Sequence, residues 1–297
     1  MSENIAAQTG NIYDLGYRGY DGERLGRSYA IVSLYLYSLR AIFGLGRSAW
    51  AKVFPIGLAA IALIPASVQL AIAAIAPADL ELIKPESYFE FVQVIVALFC
   101  AVSAPEIIGR DQRHHTLPLY FSRSLSRADY VSAKLAALAT ALFAVLALPQ
   151  VLLLTGNAVA GDDILGYVGD NLDQVPAVLA GSLLVAAFMG SVSLAIGSLT
   201  SRRAISTVAV IAYFVVFTTI GSVLVQTTGG DVRRYSVLIS PFDVLSGSIR
   251  WFFDAEPDLD SDVGRAGLAG GYYLLGAAAY TLASAGVLYR RFLRLAV

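Results

Sequence analysis

The chain has 297 residues, of which 57 % are hydrophobic and only 14 % charged, with a mean hydropathy of +0.67. These values lie outside the range of a soluble globular domain. The net charge of −1 is no guide to partners, because the charges are segregated along the chain; no nucleic-acid partner is expected. A single cysteine, Cys100, excludes a disulfide framework and a cysteine metal site.

Residues 1–27 form a polar leader with Asp14, Arg18, Asp21, Glu23, Arg24 and Arg27 and no apolar h-region, so no cleavable signal peptide is expected. Residues 28–52 are moderately apolar (Tyr29, Ile31, Leu34, Leu39, Ile42, Phe43) but are broken by Arg40, Gly44, Gly46 and Arg47. Basic and tyrosine side chains beside an apolar face suit the inner headgroup layer, so an interfacial connecting helix is predicted there. Arg40 at mid-membrane would cost about 3 kcal/mol, which disfavours a seventh span.

Six apolar stretches follow, at 53–76, 88–108, 135–160, 175–199, 204–228 and 266–289. At ~1.5 Å per residue, each is long enough to cross a hydrocarbon core of ~30 Å as a helix. Backbone amides in lipid must bond within their own segment, so runs of this length read as spanning helices. In the second run Glu90 and Glu106 sit near the two ends, where interfaces can take them. The fold class is therefore an all-α integral membrane protein, with a six-span domain over 53–289 and a short tail at 290–297.

Lysine and arginine fix the orientation. With the N-terminus inside, the inner segments hold sixteen of the twenty-one basic residues, and the outer segments, with Glu90 at the outer end of the second run, hold fifteen of the twenty-two acids. Both termini are thus expected in the cytoplasm. Loop 109–134 is then the longest inner connection. Outer loops 77–87 and 161–174 are short and acidic, and outer segment 229–265 is large enough for structure of its own. In it, Ser240-Pro241-Phe242-Asp243 reads as a helix start, and Phe242, Leu245, Ile249, Phe252 and Phe253 recur at helical spacing. The pattern predicts an amphipathic helix over 241–253 at the outer membrane surface, followed by a solvated acidic run from Asp254 to Asp262.

Several chemistries lack their residues. None of the three lysines, Lys52, Lys84 and Lys134, follows a glycine, so no P-loop is present and no cofactor is expected on this chain. The only histidines, His114 and His115, are adjacent and project about 100° apart on a helix, a poor chelating pair. No span carries a charged residue near its middle, where ion-coupled carriers usually need one. Gln69, Gln93 and Gln150 are the large polar groups there, and they either pack the spans or line a substrate path. Small residues four apart in span four (Ala186 and Gly190; Ser193 and Gly197) and at Gly267 and Gly271 permit close helix contact, within the chain or between two copies.

The segment from Glu106 to Lys134, reading Glu106-Ile-Ile-Gly109-Arg110-Asp111-Gln112-Arg113-His114-His115-Thr116-Leu117 and on through Ser122-Arg123-Ser124-Leu125-Ser126-Arg127, resembles the loop after the second span in permeases of type-2 ABC exporters. Those proteins share the acid and glycine ending the second helix and a basic segment closing on Thr-Leu. A Ser-Arg-Pro-Leu-Ser-Arg-like turn and a lysine opening the third helix complete the pattern; Ser124 stands here where proline is usual. The leader Tyr17-Arg18-Gly19-Tyr20-Asp21-Gly22 looks like that of one subset of such permeases. The resemblance implies a bacterial plasma-membrane permease subunit, non-catalytic itself, paired with a second permease subunit, a copy or a paralogue, and with separate ATP-binding subunits that carry the ATP and magnesium. It also implies that Glu106, Gly109, Arg110, Asp111, Gln112, Arg113, Thr116, Leu117 and Leu119 form the coupling element facing the ATPase; Gln69, Gln93 and Gln150, by their midplane position, are the possible translocation path. Independently, exposed Arg, Asp, Gln and His beside Leu117, Leu119 and Tyr120 would offer a soluble partner charged contacts and an apolar anchor. The residues alone leave open a membrane-embedded scaffold or sensor and, less favoured, a secondary carrier.

Overall fold

The computed structural model describes residues 25–73, 84–122, 125–160 and 174–294, with positions 166, 169, 171 and 172 between them. The leader up to residue 24, most of loops 77–87 and 161–174, and Arg123 and Ser124 lie outside the described residues.

The described chain is all-helical. Helix α1 covers Arg27–Ile42 and α2 Ala49–Ala73, while α3 covers Pro85–Ala104 and runs on through a π-helical turn, Pro105–Gly109, into a last α-turn, Arg110–Arg113. A short α4 (Leu117–Phe121) leads to α5 (Arg127–Ala160), α6 (Gln174–Ser198) and α7 (Arg203–Thr227). Helices α8 (Gly230–Ser236), α9 (Pro241–Phe252) and α10 (Asp262–Ala266) precede the last span, α11 (Gly270–Arg294). Six of these, α2, α3, α5, α6, α7 and α11, are long and apolar enough to cross a membrane.

The connecting segment 28–52 is not one helix. It ends at Ile42, and Gly44 (φ 65°) and Gly46 (φ 80°) turn the chain before α2 opens at Ala49. Both angles lie in the left-handed region, and a Cβ on Gly44 would also collide with the carbonyl of Ala51. The first span therefore begins four residues earlier than its apolar run. At the other end α11 continues to Arg294, so Arg290, Arg291 and Arg294 of the expected tail extend the last helix.

Burial divides the spans into two groups. The apolar windows of α3, α6 and α5 are 72 %, 67 % and 56 % buried, whereas those of α2, α7 and α11 are 22 %, 22 % and 17 % buried. A bundle core of α3, α5 and α6 thus carries three outer helices whose apolar faces are left for lipid or for another chain. Gly190 of α6 faces Leu138 and Leu142 of α5, and Gly197 faces Ala104 at the end of α3. These small residues of span four serve contacts inside the chain.

Helix α9 departs from the sequence reading in position rather than in existence. Ser240 caps it, its hydroxyl accepting from the Asp243 backbone N–H at 3.2 Å, and the apolar stripe is present. The stripe does not lie along a surface. Val244, Leu245 and Ile249 are completely buried and α9 packs against α3, α6, α7 and α11. Close packing allows this: Gly221 of α7 sits against Ser240, and Gly247 of α9 meets the ring of Tyr273 on α11. The helix is tied down by Arg250, whose guanidinium reaches Glu90 of α3 at 2.8 Å, and by Gln93, whose amide donates to the Ser246 hydroxyl at 2.7 Å. The acidic run that follows, including Asp254, Asp258 and Asp260, is exposed.

A candidate coupling site at the end of the third helix

From Glu106 to Phe121 the segment folds as a turn of π-helix, a turn of α-helix and the short α4, carried on the end of α3, and its last residues, from Arg127, open α5. Pro105 has no N–H to give the α-ladder, and the wider turn begins at that residue. It buries all five of Pro105, Glu106, Ile107, Ile108 and Gly109.

Glu106 is the centre of one polar cluster. Its carboxylate contacts the guanidinium of Arg47 in the α1–α2 turn, and lies 3.6 Å from Arg110 Nη1 and 3.8 Å from Arg203 Nη1 at the start of α7. One carboxylate, 7 % exposed, thereby ties three elements together. A buried acid is stable only when paired, and here the pairing is in excess.

Asp111 is the centre of a second. Its Oδ2 accepts from the Tyr130 hydroxyl at 2.7 Å and lies 2.8 Å from Lys134 Nζ, both on α5. Lys134 also donates to the carbonyl of Ile107, within the π-turn, at 3.0 Å. Gln112 donates to the carbonyl of Ser198 at the end of α6, at 3.0 Å. The Thr116 backbone N–H and hydroxyl both reach the carbonyl of Asp111, at 3.1 and 3.3 Å.

Aromatic packing fixes α4. The ring of Tyr130 is 5.8 Å from those of Tyr120 and Phe121 and 5.2 Å from that of Phe292 on α11. Burial, with the Asp111 carboxylate second, pushes the Tyr120 hydroxyl up to about 12, so it stays neutral. Helix α5 starts on a reciprocal cap: the Ser126 N–H donates to Asp129 Oδ2 at 2.9 Å and the Asp129 N–H to Ser126 Oγ at 3.2 Å. Arg27 of α1 adds two bonds of 2.8 Å to the same carboxylate.

The expected coupling residues therefore separate into two sets. Glu106, Gly109 and Asp111 are buried, and Arg110, Gln112, Thr116 and Leu117 are half-buried. Arg113, His114, His115, Pro118 and Leu119 are exposed, with Leu119 67 % exposed. Asp111 and Gln112, expected to face a partner, instead face α5 and α6, because a carboxylate and an amide at those positions find a lysine, a tyrosine and a free helix-end carbonyl. Sequence reasoning did not anticipate Arg47, Arg203, Tyr130 or Ser198 as their partners. Lys134 alone had a visible signal, a lone lysine at the start of an apolar run.

The three glutamines are buried. Gln93 is bonded to Ser246 as described, and Gln150 donates to the carbonyl of Pro85 at 2.9 Å. Those two act as interhelical ties in this chain, which favours their packing role over a path-lining one.

The fold defines a multi-pass helical membrane protein. No family model matches the chain, and no curated protein matches it.

Proposed function

We propose that the chain is the transmembrane permease subunit of an ATP-driven exporter of the type-2 ABC class, resident in a bacterial plasma membrane. The observation that carries this reading is mechanical. An exposed ridge, Arg113 to His115 with Pro118 and Leu119, is mounted on a buried polar and aromatic lock that reaches α5, α6, α7 and α11. A push on the ridge is thereby delivered to the ends of the core spans rather than absorbed by a loose loop. The residues from Glu106 to Lys134 that form this lock are those that resemble the coupling loop of that class.

In this reading a separate ATP-binding subunit, carrying ATP and magnesium, docks on the ridge from the cytoplasm. Closure of two such subunits displaces the lock and tilts the spans. The translocation path forms between two permease copies, since Gln93 and Gln150 are committed to bonds within one chain. Isolating the full chain from its native membrane in mild detergent tests the reading. A P-loop ATPase should accompany it in equal copy number and hydrolyse ATP faster in the complex. A chain that purifies alone, with no such ATPase encoded beside it, favours a membrane-embedded scaffold or sensor.

A further inference from the structure

Beside the Glu106 cluster lies a cavity of about 490 Å³ lined by Tyr37 and Arg40 of α1, Leu45 and Arg47 of the α1–α2 turn, and Arg110. This volume falls within the range of small-ligand pockets, roughly 300–1,000 Å³. Its charge is unbalanced. Arg47 and Arg110 share the single carboxylate of Glu106 with Arg203, and among the described residues no acid pairs with Arg40. Three arginines therefore line one cavity beside one buried, already shared carboxylate.

We propose that this cavity binds the phosphate of a phospholipid headgroup with net negative charge, one that carries no cation of its own, or an equivalent free phosphate. Guanidinium forks match phosphate oxygens in bidentate geometry. The surroundings place the site at headgroup depth. Trp50, three residues after Arg47 at the start of the first span, is 83 % exposed, and Leu45 on the cavity wall is 49 % exposed. An exposed tryptophan at a span end sits at the membrane interface, and an apolar wall beside the arginines suits the glycerol and upper acyl chain. The site does not depend on the exporter reading; it needs only that α2 spans the membrane.

Trp50 provides a reporter in the full chain once Trp251, the other tryptophan, is replaced as Trp251→Phe. The probes are short-chain phosphatidylglycerol, short-chain phosphatidylcholine and inorganic phosphate, each titrated into the detergent-solubilised chain while Trp50 emission and melting temperature are followed. Phosphatidylglycerol should give a saturable change that phosphatidylcholine does not. Arg40→Gln should weaken it roughly tenfold, as expected for loss of one charge-assisted hydrogen bond. Arg290→Gln, at an exposed basic residue on α11, should leave it unchanged. Saturation by phosphatidylglycerol alone identifies a lipid, and competition by inorganic phosphate identifies a site open to soluble phosphate as well. Equal responses to the two lipids overturn the proposal. So do equal affinities of the wild-type, Arg40→Gln and Arg290→Gln chains, or no change in either signal with any probe.

Discussion

Asp111 and Lys134 form an ion pair of 2.8 Å whose side chains are 7 % and 1 % exposed, joining the last turn of α3 to the first turns of α5. Two charges withdrawn this far from water hold only while both are present and hydrogen-bonded, as the Tyr130 hydroxyl and the Ile107 carbonyl make them here. Removal of one partner strands the other.

Lys134→Met should destabilise the detergent-solubilised chain by about 3–5 kcal/mol, seen as a lowered melting temperature. The double variant Asp111→Leu with Lys134→Met should recover much of that loss, because an apolar pair of similar volume carries no desolvation cost. A double variant less stable than Lys134→Met alone would show that the pair is not the source of the effect.

Leu117 and Leu119 are two residues apart and should behave oppositely. Leu117 packs against the core, so Leu117→Asp should lower the melting temperature. Leu119 is 67 % exposed, so Leu119→Asp should leave stability within about 0.5 kcal/mol of wild type. Equal destabilisation would mean that α4 presents a different face from the one described.

Asp243 makes stability depend on pH. Burial pushes its carboxyl up to about 6, opposed by its hydrogen bond with Ser240, and its Oδ2 has no hydrogen-bond partner among the described residues. The folded chain therefore holds this proton more tightly than the unfolded one, and stability falls as pH rises from about 4 to about 6. The gap from the usual 3.8 to about 6 corresponds to a penalty of about 3 kcal/mol at most, fully present at neutral pH. Asp243→Asn should raise the melting temperature at pH 7.5 and have little effect at pH 4. The same gain at both values would remove titration as the cause.

Orientation is tested by cysteines placed singly at Arg123 and Asp260 in a Cys100→Ala background. An impermeant thiol reagent on intact cells should label position 260 and spare 123 until the membrane is opened. Labelling at 123, or protection at 260 while a control outer site reacts, would contradict cytoplasmic termini.

Much of this architecture was legible in the sequence, and the misses have physical reasons. Apolar length alone located all six spans, because lipid forces the backbone to bond within each segment. Ser240 and Pro241 announced the start of α9 to the residue. Its burial was not legible, since an apolar stripe looks the same whether headgroups or other helices cover it. Gly44 and Gly46 marked the break in 28–52, but the turn's left-handed angles had to be seen before the helix could be split there. The charged loop misled most. Arg47 lies 59 positions from Glu106, and no local pattern announces such a pairing. Asp111 and Gln112 read as exposed because polar residues in a loop usually are, whereas here buried partners on α5 and α6 satisfy them.

The ridge is the part of the account on which function rests, and Leu119 is its most exposed apolar residue. Burying such an anchor in a groove of a partner typically contributes ~1.5–3 kcal/mol, whereas a rim ion pair from Arg113 seldom exceeds ~1 kcal/mol. The decisive measurement is co-purification of the proposed ATP-binding subunit with Leu119→Asp and with Arg113→Ala, alongside the ATPase rate of each complex. The account predicts that Leu119→Asp, with an unchanged melting temperature, loses roughly ten- to a hundredfold in ATPase binding, and that Arg113→Ala loses less than about fivefold. Full binding and full stimulation of the ATPase by the Leu119→Asp chain would contradict it.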